Sequence, residues 1–146
     1  AESKMAPPEP ELKDKAEQAD QAAKAFSDLY YEYFDKKRHA IKNLYHDSAN
    51  LIWNGRAVSG KDAIVKFLEE LPTSYTSLSS LDSQPVTESA FEGQTTVVVS
   101  TFGLVKYQDN KTQSFYQTFI LSSQANVWKI VSDNYRFLEA SSGAGT

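Results

Sequence analysis

The residues that could move protons are few and lie far apart in the chain. An acid, a histidine and a tyrosine can exchange protons when burial and neighbouring charges shift their pKa values. The candidates are Asp133, His46, Tyr45 and Tyr30. A single carboxylate without a second acid or a converging histidine is more often a structural group held by hydrogen bonds. We therefore expect no catalytic residue in this chain.

Metal and thiol chemistry have little basis in the composition. The chain has no cysteine and two histidines, His39 and His46. Both histidines stand at polar corners, and their spacing matches no ligand pattern. We expect no metal site and no cofactor.

The charge distribution argues against nucleic acids as direct partners. The formal net charge is −4 and there is no long basic run, whereas nucleic-acid binding depends on Lys and Arg neutralising phosphates. One basic cluster exists, formed by Lys36, Lys37, Arg38 and Lys42. Such a cluster is more often a solvated helix corner. No stretch is long and apolar enough to span a membrane. We expect no sequence-specific nucleic-acid contact and no membrane insertion.

The first half of the chain has helical spacing. An apolar stripe runs along residues Leu12, Ala16, Ala19, Ala23, Phe26, Tyr30 and Tyr33. A short helix is predicted next, with Ile41, Leu44 and Tyr45 facing inward. Asn54-Gly55 then predicts a type I′ hairpin over residues 50–58. Ser59 resembles the cap of a further helix, which Pro72 ends.

The second half has strand-like runs. Residues 75–86 form the first, with a bulge because Leu78 and Leu81 fall on opposite parities. Three long runs follow, over 94–107, 113–123 and 127–138, joined by tight turns that indicate antiparallel neighbours. Their apolar content is too even for a sheet with one face in water. Helices first and sheet last predict an α+β fold, with a strongly bent, mostly antiparallel sheet around the N-terminal helices.

The two ends of the chain lack this patterning. Residues 1–10 hold three of the five prolines, and we interpret them as a disordered tail or a cloning remnant. Residues 139–146 are of low complexity and are expected to be flexible. One domain is therefore predicted over residues 11–138.

Short motifs in this domain resemble a known family. They include Trp53-Asn54-Gly55, Ala57-Val58-Ser59-Gly60, Asp82-Ser83-Gln84-Pro85-Val86, Gly103-Leu104-Val105-Lys106 and Val127-Trp128-Lys129-Ile130. In this order and spacing they resemble the nuclear transport factor 2-like fold. More closely, they resemble the nuclear transport factor 2-related export proteins, the small subunit of the nuclear mRNA export receptor. The resemblance covers residues 11–138.

The resemblance implies a cone-shaped domain whose outer sheet face is covered by a second domain of the same fold. In this family the cover belongs to the large subunit, a nuclear RNA export factor. The heterodimer carries mRNA through the nuclear pore by binding Phe-Gly repeats of nucleoporins. The implied role is that of a non-catalytic subunit, located in the nucleus and at the pore and shuttling to the cytoplasm.

The same resemblance implies a set of partner-binding residues, six of which it places on the outer face, with Asp82 and Gln84 as further contacts. They are Ser100, Phe102, Tyr116, Thr118, Asn134, Arg136, Asp82 and Gln84. In the related proteins the arginine that matches Arg136 pairs with an acid of the partner. Trp128 and Ile130 share parity with Arg136, although such a pair is usually core. Either a bulge near Ser132 separates them, or they extend the interface.

Two alternative functions stay open within this fold. One is a small-molecule or enzymatic cone with a largely apolar lining: Val97, Val99, Phe115, Gln117, Phe119, Val131, Asp133 and Tyr135. The other is a homodimeric carrier of Ran-GDP, whose acidic loop matches residues 108–111 here. That stretch holds one acid and one base, Asp109 and Lys111, so most of the charge complementarity is lost and Ran binding is not expected.

Overall fold

The helices lie in the first half of the chain and the long strands in the second. The computed structural model describes residues 9–86, 94–124 and 127–138. Its elements are α1 (Glu9–Lys36), a 3₁₀ helix (Arg38–Leu44), β1 (Tyr45–Trp53), β2 (Arg56–Ser59), α2 (Lys61–Glu69), β3 (Ser74–Val86), β4 (Gln94–Tyr107), β5 (Gln113–Gln124) and β6 (Val127–Leu138). In these described segments no helix is both long and apolar enough to cross a membrane.

The start of α1 departs from the expected tail. The helix begins at Glu9, so residues 9 and 10 are helical, which suits Pro10 because the first helical turn needs no N–H from it. The other residues of the two expected tails, 1–8 and 139–146, lie outside the described segments.

Six strands form one sheet in the order β2-β1-β6-β5-β4-β3. All neighbours are antiparallel except β1 and β6, which run parallel. The predicted α+β class and the mostly antiparallel sheet are confirmed. The parallel pair joins strands from opposite ends of the sheet-forming region, a partnership that local patterning does not reveal.

The hairpin is confirmed and its expected helix cap is wrong. Asn54 and Gly55 both have positive φ, 48° and 87°, as a type I′ turn requires. The residue that precedes α2 is Gly60, with φ 89° and no side-chain cap. Ser59 stays in β2, because the Gly60 N–H donates to Ala49 O (2.8 Å) and extends the hairpin contact. Tyr45, expected in the short helix, is instead the buried first residue of β1.

Both suspected irregularities in the strands are present. The register of β3 shifts between Leu78 and Ser80, which lets Leu78 and Leu81 face the same side. In β6 the register shifts so that Ile120 opposes Ser132 and Leu121 opposes Ile130, leaving Val131 unpaired.

The β6 bulge resolves the parity conflict. Before it, Ile130 is buried and Trp128 packs against the core; after it, Asn134 and Arg136 are exposed. Val131, expected to line the interior, sits at the bulge and is half-buried, since a bulged residue is displaced from the strand's alternation.

The core lies between α1 and the inner sheet face. Ala19, Ala23, Phe26 and Tyr30 of the predicted stripe are buried, and Tyr33 is half-buried. Ala16 is exposed, so the stripe overestimates the buried length of the helix. The side chain of Leu12 lies outside the described part.

A single guanidinium ties the end of α1 to the end of α2. Arg38 donates through Nε to Phe34 O (2.8 Å), through Nη1 to Leu68 O (3.1 Å) and Leu71 O (2.7 Å), and through Nη2 to Pro72 O (2.9 Å) and Ser74 Oγ (3.0 Å). All five N–H donors of the guanidinium therefore have acceptors within the chain. Arg38 belongs to this clamp. Its N–H groups are occupied within the chain, so this member of the basic cluster is not available to contact RNA.

The neighbouring carboxylate fixes the start of β3. Asp35 accepts bonds from Ser74 Oγ (2.7 Å), Thr76 N (2.8 Å) and Thr76 Oγ1 (2.9 Å). β3 is an edge strand, so its outward N–H groups would otherwise lack a partner. Asp35 caps one of them and, with Arg38, positions the edge of the sheet against the helices.

The clamp predicts a large cost for a conservative substitution. Arg38→Lys leaves at most three donors and a different shape, so carbonyl oxygens at the end of α2 lose their partner. We expect the free energy of unfolding to fall by about 2–4 kcal/mol in urea denaturation. Arg56→Lys is the matched control, because Arg56 is exposed. Its Cζ lies 5.3 Å from the centroid of the Phe67 ring, and a lysine can also place its charge over that ring. Equal effects of the two substitutions would contradict the clamp.

Candidate functional site

The carboxylate of Asp133 is buried on the inner sheet face and fully engaged. Tyr45 Oη donates to its Oδ2 (2.6 Å), and Gln117 Nε2 donates to its Oδ1 (2.8 Å). β6 presents Asp133 inward, while β1 and β5, on either side, supply the two donors. Both oxygens thus have hydrogen-bond donors from neighbouring strands.

The network continues to α1. The Tyr30 and Tyr45 hydroxyls lie 3.1 Å apart, and Tyr31 Oη donates to Gln117 Oε1 and lies 2.8 Å from Thr101 Oγ1. Every buried polar side-chain atom of the described residues has a partner. Burial raises the pKa of Tyr30, Tyr31 and Tyr45 well above the ordinary value, so these hydroxyls keep their protons. The network therefore holds the helix on the sheet through neutral donors and one acid.

Aromatic rings fill the space beside this network. Phe119 lies 4.8 Å from Tyr30 and 5.1 Å from Phe26, centroid to centroid, and Phe115 stacks on Tyr135 at 5.2 Å. Tyr30, Phe115 and Phe119 are at most 1% exposed. A ligand bound between α1 and the sheet would have to displace these rings.

The histidines do not join the acid. His46 is exposed on β1, where its Nδ1 lies 3.1 Å from Ser48 N and 3.0 Å from Ser48 Oγ. His39 is also exposed. Of the four proton-transfer candidates, the structure brings together Asp133, Tyr45 and Tyr30 and leaves His46 outside. Within residues 9–86, 94–124 and 127–138, no three acids or histidines are grouped as metal ligands.

The outer sheet face brings together all eight residues that the resemblance singled out. Cross-strand pairs join them: Tyr116 with Phe102 and Arg136, Thr118 with Ser100 and Asn134, and Ser100 with Asp82, while Gln84 opposes Val98 on the same face. Tyr116 is 39% exposed, Phe102 is half-buried, and Arg136, Asn134, Asp82 and Gln84 are exposed. They form one continuous surface over β6, β5, β4 and β3, which we call the outer face.

The outer face is more apolar than those eight residues suggest. Val98 and Ile120 are half-buried on it, and Leu104 and Ile52 are 42% and 41% exposed. The parity of β4 and β5 could have identified the first three. Ile52 could not have been identified this way, because it reaches the face only through the parallel pairing of β1 with β6, opposite Asn134.

Two polar features stand out on this face. No carboxylate of the described residues lies within 4.0 Å of the Arg136 side-chain nitrogens. Hydrogen bonds with the Ser100 and Thr118 hydroxyls lower the pKa of Tyr116. An arginine without an acid, beside an aromatic ring, is typical of residues that anchor protein interfaces.

Comparison with known proteins agrees with this architecture. Residues 22–137 match the model of the nuclear transport factor 2 (NTF2) domain. The chain is 48% identical over 136 residues to "NTF2-related export protein 2" of Homo sapiens, which covers 90% of this chain and 96% of that protein. It is 45% identical to "NTF2-related export protein 1" of Bos taurus, over 82% of this chain and 89% of that protein.

Solved structures share the fold. Nuclear transport factor 2 of Cryptosporidium parvum superimposes with a TM-score of 0.73 at 26% identity, covering 83% of this chain and 95% of that one. A chain of the Candida albicans Mtr2–Mex67 M domain complex superimposes with a TM-score of 0.69 at 15% identity, covering 84% of this chain and 98% of that one.

The buried carboxylate predicts a pH dependence of stability. Burial raises the pKa of Asp133 to about 6, against the opposing effect of its hydrogen bonds. The folded state therefore holds a proton that the unfolded state releases near pH 4. This contribution to the free energy of unfolding is complete below pH 4 and falls by about 3 kcal/mol as pH rises through 6.

Asp133→Asn isolates this effect, because the amide keeps the shape and does not titrate. We expect the stability difference between the unaltered chain and Asp133→Asn to change by that amount between pH 4 and 7 in urea denaturation. Asp109→Asn, in an exposed turn, is the control. Parallel curves for the unaltered chain and Asp133→Asn would contradict the assignment.

Proposed function

The chain belongs to the NTF2 domain family, and from this membership we propose that it is a non-catalytic subunit of an mRNA export receptor. The proposed partner is the nuclear transport factor 2-like domain of a nuclear RNA export factor. In this proposal the outer face packs against the matching face of that domain to form a heterodimer. The identity of 48% with an NTF2-related export protein supports this reading over the other functions of the fold.

The character of the outer face is the observation that carries the proposal. It combines aromatic and aliphatic side chains with hydroxyls over four adjacent strands, and it is the second face of a sheet whose first face is the core. Large apolar patches on soluble proteins usually mark interaction sites. In this proposal the sheet of a second domain of the same fold provides the cover.

Arg136 supplies the electrostatic part of the proposal. Its side chain stands beside Tyr116 and has no acidic neighbour among the described residues. An acid on the partner would be desolvated together with it, which makes the pair sensitive to the loss of either member. Asp82, on β3 at the opposite side of the face, offers a negatively charged contact.

The interior supports a non-catalytic role. Asp133 is engaged by two donors, His46 points elsewhere, and the rings of Tyr30, Phe115 and Phe119 occupy the space that a substrate would need. The acid then acts as a structural group. An enzymatic or small-molecule cone has no comparable support from these side chains.

The loop that would receive Ran gives that alternative little support. Asp109 and Lys111 are exposed in the β4–β5 turn and carry charges of opposite sign, so the turn has no net negative charge from this pair.

In the proposed function the chain resides in the nucleus and at the pore and shuttles to the cytoplasm. It contacts Phe-Gly nucleoporins and mRNA only indirectly, through the heterodimer.

Charge reversal at Arg136 tests the proposal. Arg136→Glu places a like charge against the partner's acid and is expected to weaken the heterodimer by about 2–5 kcal/mol. Isothermal titration calorimetry with the export factor domain measures this loss. Urea denaturation of the variant alone is expected to match that of the unaltered chain, because Arg136 is exposed.

Lys42→Glu provides the matched control, with the same change of charge at an exposed position of the 3₁₀ helix. It is expected to leave the affinity unchanged. An Arg136→Glu chain that binds as tightly as the control would show that this face does not carry the interface.

A further inference from the structure

The β1–β2 turn has a second role beyond reversing the chain. Asn54 occupies the left-handed region that its turn position needs, with φ 48°. Its backbone N–H donates to Tyr135 O (2.8 Å), and its side-chain Oδ1 accepts a bond from the Phe137 N–H (2.8 Å). The turn requires only the left-handed backbone conformation, which glycine also adopts. The side-chain bond to the Phe137 N–H is therefore not needed to form the turn.

These two bonds lie on either side of Arg136. The parallel ladder between β1 and β6 ends at the pair Trp53 and Tyr135, but β6 continues to Leu138. Beyond Tyr135 no further residue of β1 is available to pair with β6. The Asn54 side chain takes the place of the next ladder acceptor and secures the backbone on both sides of Arg136.

The same residue borders a depression on the outer face. Asn54, Tyr116, Arg136, Phe137 and Leu138 line a cavity of about 530 Å³. Its lining combines the aromatic and aliphatic residues Tyr116, Phe137 and Leu138 with the charged residue Arg136. This chemistry suits an apolar side chain that carries, or lies next to, a carboxylate.

We propose that Asn54 is a positioning residue of the partner-binding face, which holds Arg136 at the wall of this cavity. The inference rests on the proposed function and assigns the cavity to an apolar side chain of the export factor domain with a neighbouring acid. Asn54 does not bind the acid itself. It acts through Arg136, because it fixes the strand that presents the guanidinium.

Two substitutions separate the turn from the positioning role. Asn54→Gly keeps the left-handed conformation and removes Oδ1, whereas Asn54→Asp keeps both the conformation and an acceptor. In the full chain, hydrogen–deuterium exchange at the Phe137 amide is expected to rise in Asn54→Gly and to stay low in Asn54→Asp. Ser59→Gly, which removes an exposed side chain from the same hairpin, is the control and is expected to leave this amide protected.

A double-mutant cycle with the export factor domain as the probe then measures coupling. Asn54→Gly is expected to weaken binding about threefold to tenfold, the effect of one hydrogen bond. The same substitution on an Arg136→Ala background is expected to have no further effect, because the residue it positions is gone. Unfolding measurements on each variant show whether any loss reflects stability alone.

The outcomes are distinct. Equal effects of Asn54→Gly with and without Arg136, an unchanged affinity, or an unchanged Phe137 exchange rate would overturn the positioning role and leave the heterodimer intact. An unaltered chain that does not bind the export factor domain would overturn the proposed function, and this inference with it.

Discussion

The register of β6 is the constraint on which the two faces of this sheet depend. The bulge at Val131 sends Ile130 and Trp128 toward the core before it, and Asp133 inward and Arg136 outward after it. A one-residue slip would bury the guanidinium and expose the carboxylate, since side chains alternate along a strand. The bonds from Tyr45 and Gln117 to Asp133 oppose such a slip, because a buried acid without donors is costly.

This register divides the polar groups into two classes. On the inner side, Asp133, Gln117 and the buried tyrosines form hydrogen bonds with one another. The buried polar side-chain atoms of the described residues therefore all have partners within the chain. On the outer face, Arg136 and Asp82 have no charged neighbour of opposite sign among the described residues, and several apolar side chains stay partly in water. A partner that covers this face would give these charges a counterpart and remove the apolar side chains from water, which is the physical basis for proposing a binding subunit.

Local patterns predicted the parts of the fold that local physics determines. The Asn54-Gly55 turn, the long strands and both bulges follow from positive φ, strand propensity and parity, all of which can be read from neighbouring residues. The parallel pairing of β1 with β6 could not be read in this way, and neither could the five bonds of Arg38. The β1–β6 pairing and four of the five Arg38 bonds join residues about 30 or more positions apart. Nothing in a lysine- and arginine-rich corner distinguishes a clamp from a solvated face.

For the candidate site, the sequence predicts which residues share a face but not every contact that they make. Parity and resemblance together predict that six of the eight residues lie on the outer face, and the strand registers confirm this placement. The registers add Asp82 and Gln84 to the same face, and the role of all eight in binding stays a prediction. The sequence predicts a turn at Asn54 but not its bond to the Phe137 N–H, because that bond depends on where β1 stops beside β6. The predicted helix cap at Ser59 is wrong, since the sequence does not show that the Gly60 N–H extends the hairpin by donating to Ala49 O.

In the proposed complex, a second domain of the same fold from a different chain covers the outer face. Sedimentation equilibrium of this chain mixed with the export factor domain tests it most directly, because the mass gives the composition of the complex. We expect a single species with the mass of one copy of each. A homodimer of this chain that persists in the presence of an excess of the export factor domain would contradict it.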